Sequence, residues 1–203
     1  MICIGGISGA GKTTLAESLL DLPNFREMTL FDLDWTMLNR WIRCEPLWRD
    51  SHHKNWDWFR QDKGLGMVAG WLKERKEGAS SITYFNVYDF NGGQETYRPE
   101  INVPIGSGLL IVGWLAVNEK MMMVLREEGI SPVNVIVQTD YNVCLERIKA
   151  RALTRNNNPE ALAVQFDKVD LPSWQEYLPR ISGLIDILAK SESNQFILSK
   201  YVG

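Results

Sequence analysis

The chain has 203 residues, a formal net charge of −3 and a sequence pI of about 5.5. Its 45% hydrophobic and 23% charged residues are typical of one globular domain with a buried core. The acidic balance and the lack of a dense Lys/Arg block argue against a broad nucleic-acid-binding surface. No apolar run in the sequence is long enough to span a membrane.

The cysteines predict a reducing environment. Cys3, Cys44 and Cys144 lie far apart and form no C-x-x-C pair, so we expect reduced thiols in a cytoplasmic protein. The glycine-rich run described next begins at residue 6, so we expect no signal peptide.

An apolar stretch at residues 1–4 leads into a run that fits the phosphate-binding pattern G-x-x-x-x-G-K-[ST] at each fixed position. The glycines let backbone N–H groups converge on an anion, and the helix that follows favours negative charge at the same point. We expect Lys12 to reach the β- and γ-phosphates of ATP and the Thr13 hydroxyl to hold Mg²⁺. The predicted ATP-binding residues of this loop are Gly6, Ser8, Gly9, Ala10, Gly11, Lys12, Thr13 and Thr14.

Short apolar runs alternate with longer amphipathic ones, which predicts an α/β fold. We expect a single P-loop NTPase domain over residues 1–203, a three-layer sandwich whose parallel five-stranded sheet has helices on both faces and a small lid at roughly 147–173. Strands are predicted near residues 2–5, 28–33, 81–85, 109–112 and 133–139, with a last short one near 195–198.

Helices are predicted near residues 12–20, 56–77, 117–127, 142–153 and 174–189. In the second of these, the spacing of Val68, Trp71 and Leu72 places them on the face that packs against the sheet. Segment 86–108 is predicted to be an irregular excursion, and residues 155–173 are predicted to be a polar loop.

Two carboxylates, Asp32 and Asp34, follow the second predicted strand, at the edge where such sheets bind ligands. Phosphoryl transfer needs an acidic group to orient and deprotonate the attacking hydroxyl, and it needs Mg²⁺ near the γ-phosphate. One Asp could serve each purpose. The alternative is that they are loop carboxylates that cap the next helix.

Asp57 stands beside Trp56 at the start of the long predicted helix. It is either a carboxylate favoured by the helix dipole or a ligand for the vicinal hydroxyls of a substrate enclosed by aromatic rings. The only histidines, His52 and His53, have no third ligand near them in sequence, which argues against a histidine metal site.

Arg147, Arg151 and Arg155 recur at i, i+4 spacing and therefore share one side of a predicted helix. They form either a solvated basic face or a cationic lid that stabilises charge during phosphoryl transfer. Their position after the fifth strand and the break at residues 156–159 favour the lid.

These features, in this order, resemble the uridine kinase–phosphoribulokinase family of P-loop small-molecule kinases, and within it the nicotinamide riboside kinases. The matching features in chain order are Gly6–Thr13, Asp32 and Asp34, Asn55-Trp56-Asp57, Tyr88-Asp89-Phe90, Thr139-Asp140, Arg147 and Arg151, and residues 173–177.

The resemblance implies transfer of the ATP γ-phosphate to a primary hydroxyl, typically the 5′-hydroxyl of a ribonucleoside. It implies that an Asp after the second strand acts as base. Asp34 is favoured because Trp35 follows it, although Asp32 fits nearly as well and is also the expected partner of Mg²⁺. The implied catalytic residues are Lys12, Asp34, Asp32 and Arg151. Arg147 and Arg151 are expected to bind ATP from the lid, and the implied substrate-binding residues are Asp34, Trp35, Trp56, Asp57, Tyr88 and Arg155.

Two departures from the family pattern are visible. Many members place a Glu-Gly pair after the fourth strand, whereas this chain has Gly113 and no acid. Residues 91–94 stand where uridine kinases carry a His-containing segment, which argues against pyrimidine specificity. The remaining alternatives are a kinase for another alcohol, such as a vitamin, a sugar or a nucleic-acid 5′ end, and a nucleotide-binding module without transfer activity.

Overall fold

The computed structural model describes residues 1–37, 60–89, 96–155, 157–192 and 195–202. In chain order the elements are β1 (Ile2–Gly5), α1 (Lys12–Leu20), β2 (Thr29–Asp32), α2 (Gln61–Lys76), β3 (Ser81–Asp89), β4 (Thr96–Pro104), β5 (Leu109–Val112), α3 (Glu119–Glu127), β6 (Val133–Gln138), α4 (Tyr141–Thr154), α5 (Pro159–Gln165), α6 (Leu171–Ile181), β7 (Ile187–Glu192) and β8 (Gln195–Lys200). A short 3₁₀ turn over Leu33–Thr36 follows β2, and another over Ser182–Leu184 follows α6. A π-helical turn, Phe166–Asp170, joins α5 to α6.

A central sheet runs in the order β2-β5-β1-β6-β7-β8 through the described ranges. Its first five strands are parallel, and β8 pairs antiparallel with β7 at the edge. The α/β fold predicted from the sequence is therefore confirmed. Because parallel strands end at the same edge of a sheet, the segments that follow β1, β2, β5, β6 and β7 meet there.

The central strands of this sheet are buried because both faces are covered there, whereas the edge strand β8 is mostly exposed. All four residues of β5 are buried, as expected for a central parallel strand that reads as a continuous apolar run. Helix α1, whose bounds agree with the prediction, buries Leu15 and Ala16, and α3 buries Met121, Met122 and Leu125.

The prediction that residues 81–85 belong to the parallel sheet is wrong. Strand β3 pairs antiparallel with β4, from Ser81 opposite Pro104 to Asp89 opposite Thr96, and the two form a separate hairpin. The described part of segment 86–108, residues 86–89 and 96–108, is thus mostly strand rather than irregular. Its two prolines are tolerated because a two-stranded hairpin leaves the outer edges of both strands without a partner strand.

Helix α2 packs against this hairpin. Val68, Trp71 and Leu72 are buried as predicted. The Trp71 indole N–H donates to the carbonyl of Pro104 at 3.0 Å, and the Tyr84 hydroxyl donates to the carbonyl of Met67 at 2.6 Å.

Two predictions in the C-terminal third are also wrong. The helix expected over 174–189 ends at Ile181, and the apolar run that follows forms β7, the fifth parallel strand. Residues 159–165 of the predicted loop are helical, because the Asn158 side chain caps α5 by accepting from the N–H groups of Glu160 and Ala161 at 2.9 and 3.2 Å. The last strand, expected at 195–198, extends to Lys200.

Of the three cysteines, Cys3 and Cys144 are free and buried, and Cys44 lies outside the described residues. None of the helices in the described ranges is both long enough and apolar enough to pass through a membrane.

Gly113, directly after β5, lies against the turn that follows β2. A Cβ atom built on Gly113 would come within 2.7 Å of the Cβ of Leu33, a residue that is 2% exposed. A side chain at position 113 therefore requires the turn to move. The space in which the family pattern leads us to expect a glutamate is filled by Leu33.

We predict opposite effects for two Gly→Ala substitutions. Gly113→Ala should lower the free energy of unfolding by about 1–3 kcal/mol, because the added methyl overpacks against Leu33. Gly66→Ala should raise it by about 0.5–1 kcal/mol, because Gly66 lies inside α2 with no atom in the way of a Cβ. Urea unfolding measures both. A neutral or stabilising Gly113→Ala would contradict the packing described above.

Candidate active site

The loop between β1 and α1 is closed by its own lysine. Lys12 Nζ donates to the carbonyl of Ile7 at 3.0 Å, and the backbone N–H of Ala10 donates to the same carbonyl at 3.2 Å. Gly11, the residue before α1, has φ of 101°, a conformation that favours glycine. The loop thus has the curled form that directs backbone N–H groups inward at a helix N-terminus.

The loop is anchored on the first turn of α4. Gly9 has φ of 79°, and a Cβ atom there would come within 2.5 Å of the carbonyl oxygen of Cys144, so only glycine fits. The Thr139 hydroxyl donates to the carbonyl of Ala10 at 2.7 Å. Asp140 caps α4 by accepting from the N–H of Asn142 at 2.8 Å. The Thr139-Asp140 pair therefore holds the loop against the helix that carries the arginines.

A cavity of about 400 Å³ opens over this loop. Seven of the predicted ATP-binding residues line it, whereas Gly6, Ser8 and Ala10 belong to the loop without lining the cavity. Its lining residues are Gly9, Gly11, Lys12, Thr13, Thr14, Arg147, Arg151, Ser191 and Phe196.

Arg147 is fixed across this cavity. Its Nη1 donates to the carbonyls of Gly9 and Ala10 at 3.3 Å each, and its Nη2 donates to the Ser191 hydroxyl at 3.2 Å. Ser191 and its cross-strand neighbour Phe196 come from the terminal hairpin and were missed in the sequence analysis. No motif marks them, because their place in the cavity depends on the pairing of β7 with β6.

Asp32 and Asp34 form a linked pair at the end of β2. Asp32 caps the turn that follows, and its Oδ1 accepts from the N–H of Asp34 at 2.9 Å. The capping alternative thus holds for Asp32, while Asp34 remains partly exposed. Removal of its carboxylate from water raises the pKa of Asp32 to about 7, and the charge of Asp34 adds to the rise. The hydrogen bond from Asp34 and the charge of Lys12 oppose it.

Arg151 connects the cavity with these carboxylates. Desolvation and the charge of Arg155 lower the pKa of Arg151, while Asp34 and Asp170 act in the opposite direction. Asp170, at the end of the π-helical turn, is 3% exposed. The structure therefore brings Arg151 of the predicted lid into the electrostatic reach of the acids, with Arg155 as its neighbour.

Of the aromatic residues of the predicted acceptor site, Tyr88 lies in the core and the partly buried Trp35 packs against it. Tyr88 is 2% exposed and packs edge to face on Tyr97, and Trp35 packs edge to face on Phe31. Packing is thus the role the described contacts give them. Trp56 and Asp57 lie outside the described residues, as do His52, His53 and residues 91–94.

The described ranges contain no group of three or more His, Cys, Asp and Glu residues that could hold a metal ion. Kinase sites bind Mg²⁺ through one or two protein oxygens together with substrate phosphates, so they do not need such a group. Thr13 lines the cavity, and the Asp32 carboxylate interacts with the neighbouring Lys12. Both offer oxygen ligands of the kind that Mg²⁺ prefers.

The chain matches no protein-family model. It is 25% identical over 191 residues to a uridine kinase of Schizosaccharomyces pombe, a match that covers 92% of this chain and 39% of that protein. The chain thus spans about two fifths of the length of this relative.

Three solved structures share the fold. One, from Silicibacter sp. TM1040 and provisionally described as a fructose transport system kinase, has a TM-score of 0.59 and 15% identity over 86% of this chain and 82% of that one. The second, provisionally named a uridine kinase, is from Bacillus stearothermophilus and has a TM-score of 0.54 and 14% identity over 91% of this chain and 85% of that one. The third, a provisionally assigned and circularly permuted P-loop kinase from Saccharomyces cerevisiae, has a TM-score of 0.56 and 13% identity over 85% of this chain and 86% of that one.

The chain has the P-loop kinase fold. In this fold the cavity over the Gly6–Thr13 loop is where a phosphate donor is expected. The match to the uridine kinase, although it covers less than half of that protein, supports the resemblance drawn from the motifs.

We predict that Asp32 makes the stability of the fold depend on pH. Its pKa rises from 3.8 in an unperturbed carboxyl to about 7, so the folded protein holds this proton where the unfolded chain has lost it. The resulting stabilisation is complete below about pH 4 and is lost as the pH rises through 7. Asp32→Asn keeps an oxygen to cap Asp34 but does not ionise. Its free energy of unfolding relative to the wild type should therefore increase from pH 5 to pH 8.

Urea unfolding in the presence of EDTA measures this difference without interference from bound metal. Asp62→Asn, an exposed position in the first turn of α2, serves as the control and should give a difference that does not change with pH. An Asp32→Asn difference that is equally flat would show that the Asp32 carboxyl is not perturbed.

Proposed function

We propose that this chain is an ATP- and Mg²⁺-dependent phosphotransferase that moves the γ-phosphate to a hydroxyl of a nucleoside-like small molecule. One observation carries the proposal: Arg151 lines the cavity over the phosphate loop and also interacts electrostatically with Asp34. A donor pocket and a carboxylate that can serve as base therefore share one edge of the sheet. A protein that only binds nucleotides has no need of that base.

In the proposed reaction, the N–H groups of the loop and Lys12 hold the donor phosphates, and Arg151 stabilises the charge that develops during transfer. The oxygen of the acceptor hydroxyl attacks the γ-phosphorus, and Asp34 accepts the proton of that hydroxyl. The bond between the γ-phosphorus and the β-γ bridging oxygen breaks, and ADP leaves. Asp32 keeps Asp34 in place by accepting a hydrogen bond from the backbone N–H of Asp34. Thr13 and Asp32 would hold Mg²⁺, which when bound neutralises charge on the β- and γ-phosphates.

The acceptor we propose is a ribonucleoside phosphorylated at a primary hydroxyl. The match to the uridine kinase of S. pombe supports a nucleoside, and the riboside-kinase motifs of the sequence favour nicotinamide riboside. Uridine and cytidine are the competing acceptors. The roles of Trp56, Asp57 and Arg155 in binding the acceptor are part of this proposal, whereas the buried Tyr88 supports the site by packing against Tyr97.

We predict that purified protein with ATP and Mg²⁺ phosphorylates at least one member of a nucleoside panel, detected by mass spectrometry. Asp34→Asn should lower kcat/KM for that acceptor by about 10²–10⁴-fold with little change in ATP affinity, because only a proton acceptor is lost. Lys12→Ala should weaken both ATP binding and transfer. Lys73→Ala, an exposed lysine of α2, is the matched control and should leave both unchanged.

The panel also separates the alternatives. Tight ATP binding without product from any nucleoside, sugar or vitamin alcohol would favour a nucleotide-binding module, for which the lack of an acid at Gly113 is the supporting observation. Product from a sugar but from no nucleoside would retain the kinase and overturn the acceptor.

A further inference from the structure

The terminal hairpin places an aromatic ring beside the phosphate loop. Phe196 on β8 lies directly opposite Ser191 on β7. Directly opposed residues of an antiparallel pair project from the same face of a sheet. Because the Ser191 hydroxyl accepts a hydrogen bond from Arg147, the Phe196 ring and the Arg147 guanidinium belong to the same wall of the cavity.

The ring also reaches the loop itself. A Cβ atom built on Gly11 would lie 3.4 Å from Phe196 Cζ and 3.5 Å from Arg147 Nη1. Ring and guanidinium thus both lie over the residue that precedes Lys12. Phe196 is partly buried, whereas the next two residues of β8, Ile197 and Leu198, are 53% and 54% exposed. Phe196 is therefore the large apolar side chain that β8 contributes to the cavity.

Phosphate binding accounts for every other part of this wall. The loop, Lys12, Thr13 and the arginines match a chain of phosphates and a metal, but an aromatic ring has no role in binding them. The flat face of a base stacks well on an aromatic ring or on a guanidinium plane. A cavity of about 400 Å³ is also within the size range of small-molecule sites.

We propose that Phe196 is the stacking platform for the nucleobase of the phosphate donor and that it selects larger bases by stacking area. The two polar side chains beside it, Arg147 and Ser191, are hydrogen-bonded to each other, and Arg147 also donates to the loop carbonyls. The side chains of this wall therefore recognise the base by stacking on its flat face. Purine donors bind more tightly than pyrimidine donors as a result. This inference rests on the proposed function only in taking the ligand of the cavity to be a nucleotide.

The test measures binding without turnover, by calorimetric titration in Mg²⁺ buffer with ATP, CTP and inorganic tripolyphosphate. The wild type should bind ATP more tightly than CTP. Phe196→Ala should weaken ATP binding by roughly 5- to 150-fold, the range measured for loss of one stacked base. Its affinity for tripolyphosphate should stay within about twofold of the wild type, because the phosphate contacts are unchanged.

Two further variants separate stacking from packing. Phe196→Leu keeps an apolar side chain against the core but has no ring, so it should lose ATP affinity as Phe196→Ala does, whereas Phe196→Tyr should behave as the wild type. Ile197→Ala, the exposed neighbour on the other face of β8, is the matched control and should change nothing.

Equal loss of ATP and tripolyphosphate affinity in Phe196→Leu would overturn the proposal, because the ring would then only support the loop. Unchanged ATP affinity in Phe196→Ala or equal wild-type affinity for ATP and CTP would overturn it as well. These outcomes are distinct from failure of the proposed function, which is a lack of phosphorylated acceptor and leaves the binding measurements untouched.

Discussion

The candidate site depends on the close packing of the phosphate loop against the start of α4. Gly9 leaves no space for a Cβ atom beside Cys144, Thr139 holds the carbonyl of Ala10, and Arg147 donates to the same stretch of loop. Because interiors of this kind are close-packed, the loop and α4 act as one rigid unit. The positions of Lys12 and Arg147 are therefore set together.

The acidic side of the site follows from a second packing constraint. Leu33 fills the space beside Gly113, so the end of β5 offers no carboxylate and the acids come from the end of β2 instead. Asp32 lies next to Lys12 and accepts a hydrogen bond from the N–H of Asp34, and both residues are partly exposed. In the proposed reaction the two carboxylates have different roles: Asp32 binds Mg²⁺ and positions Asp34, and Asp34 accepts the proton.

The sequence predicted those parts of the molecule that are governed by local chemistry. The phosphate loop and α1 follow from residue spacing alone, and the alternation of apolar runs was enough for the α/β class. The β3–β4 hairpin and β7 were missed because their pairing is non-local, and the run at 184–189 is equally compatible with a helix or a strand. Phe196 was missed for the same reason, since it reaches the cavity only through the pairing of β8 with β7. The arginine series was recognised because its spacing is that of a helix face.

The central claim is that the cavity over Gly6–Thr13 is the donor half of a two-substrate site and that Asp34 borders the acceptor half. A crystal structure with Mg²⁺ and a non-hydrolysable ATP analogue tests it most directly. The account predicts the β- and γ-phosphates against the loop, with Lys12 and Arg151 in hydrogen-bonding contact with the γ-phosphate and room for one hydroxyl between that phosphate and Asp34. A triphosphate bound away from the loop, or a γ-phosphate directed away from Asp34, would contradict it.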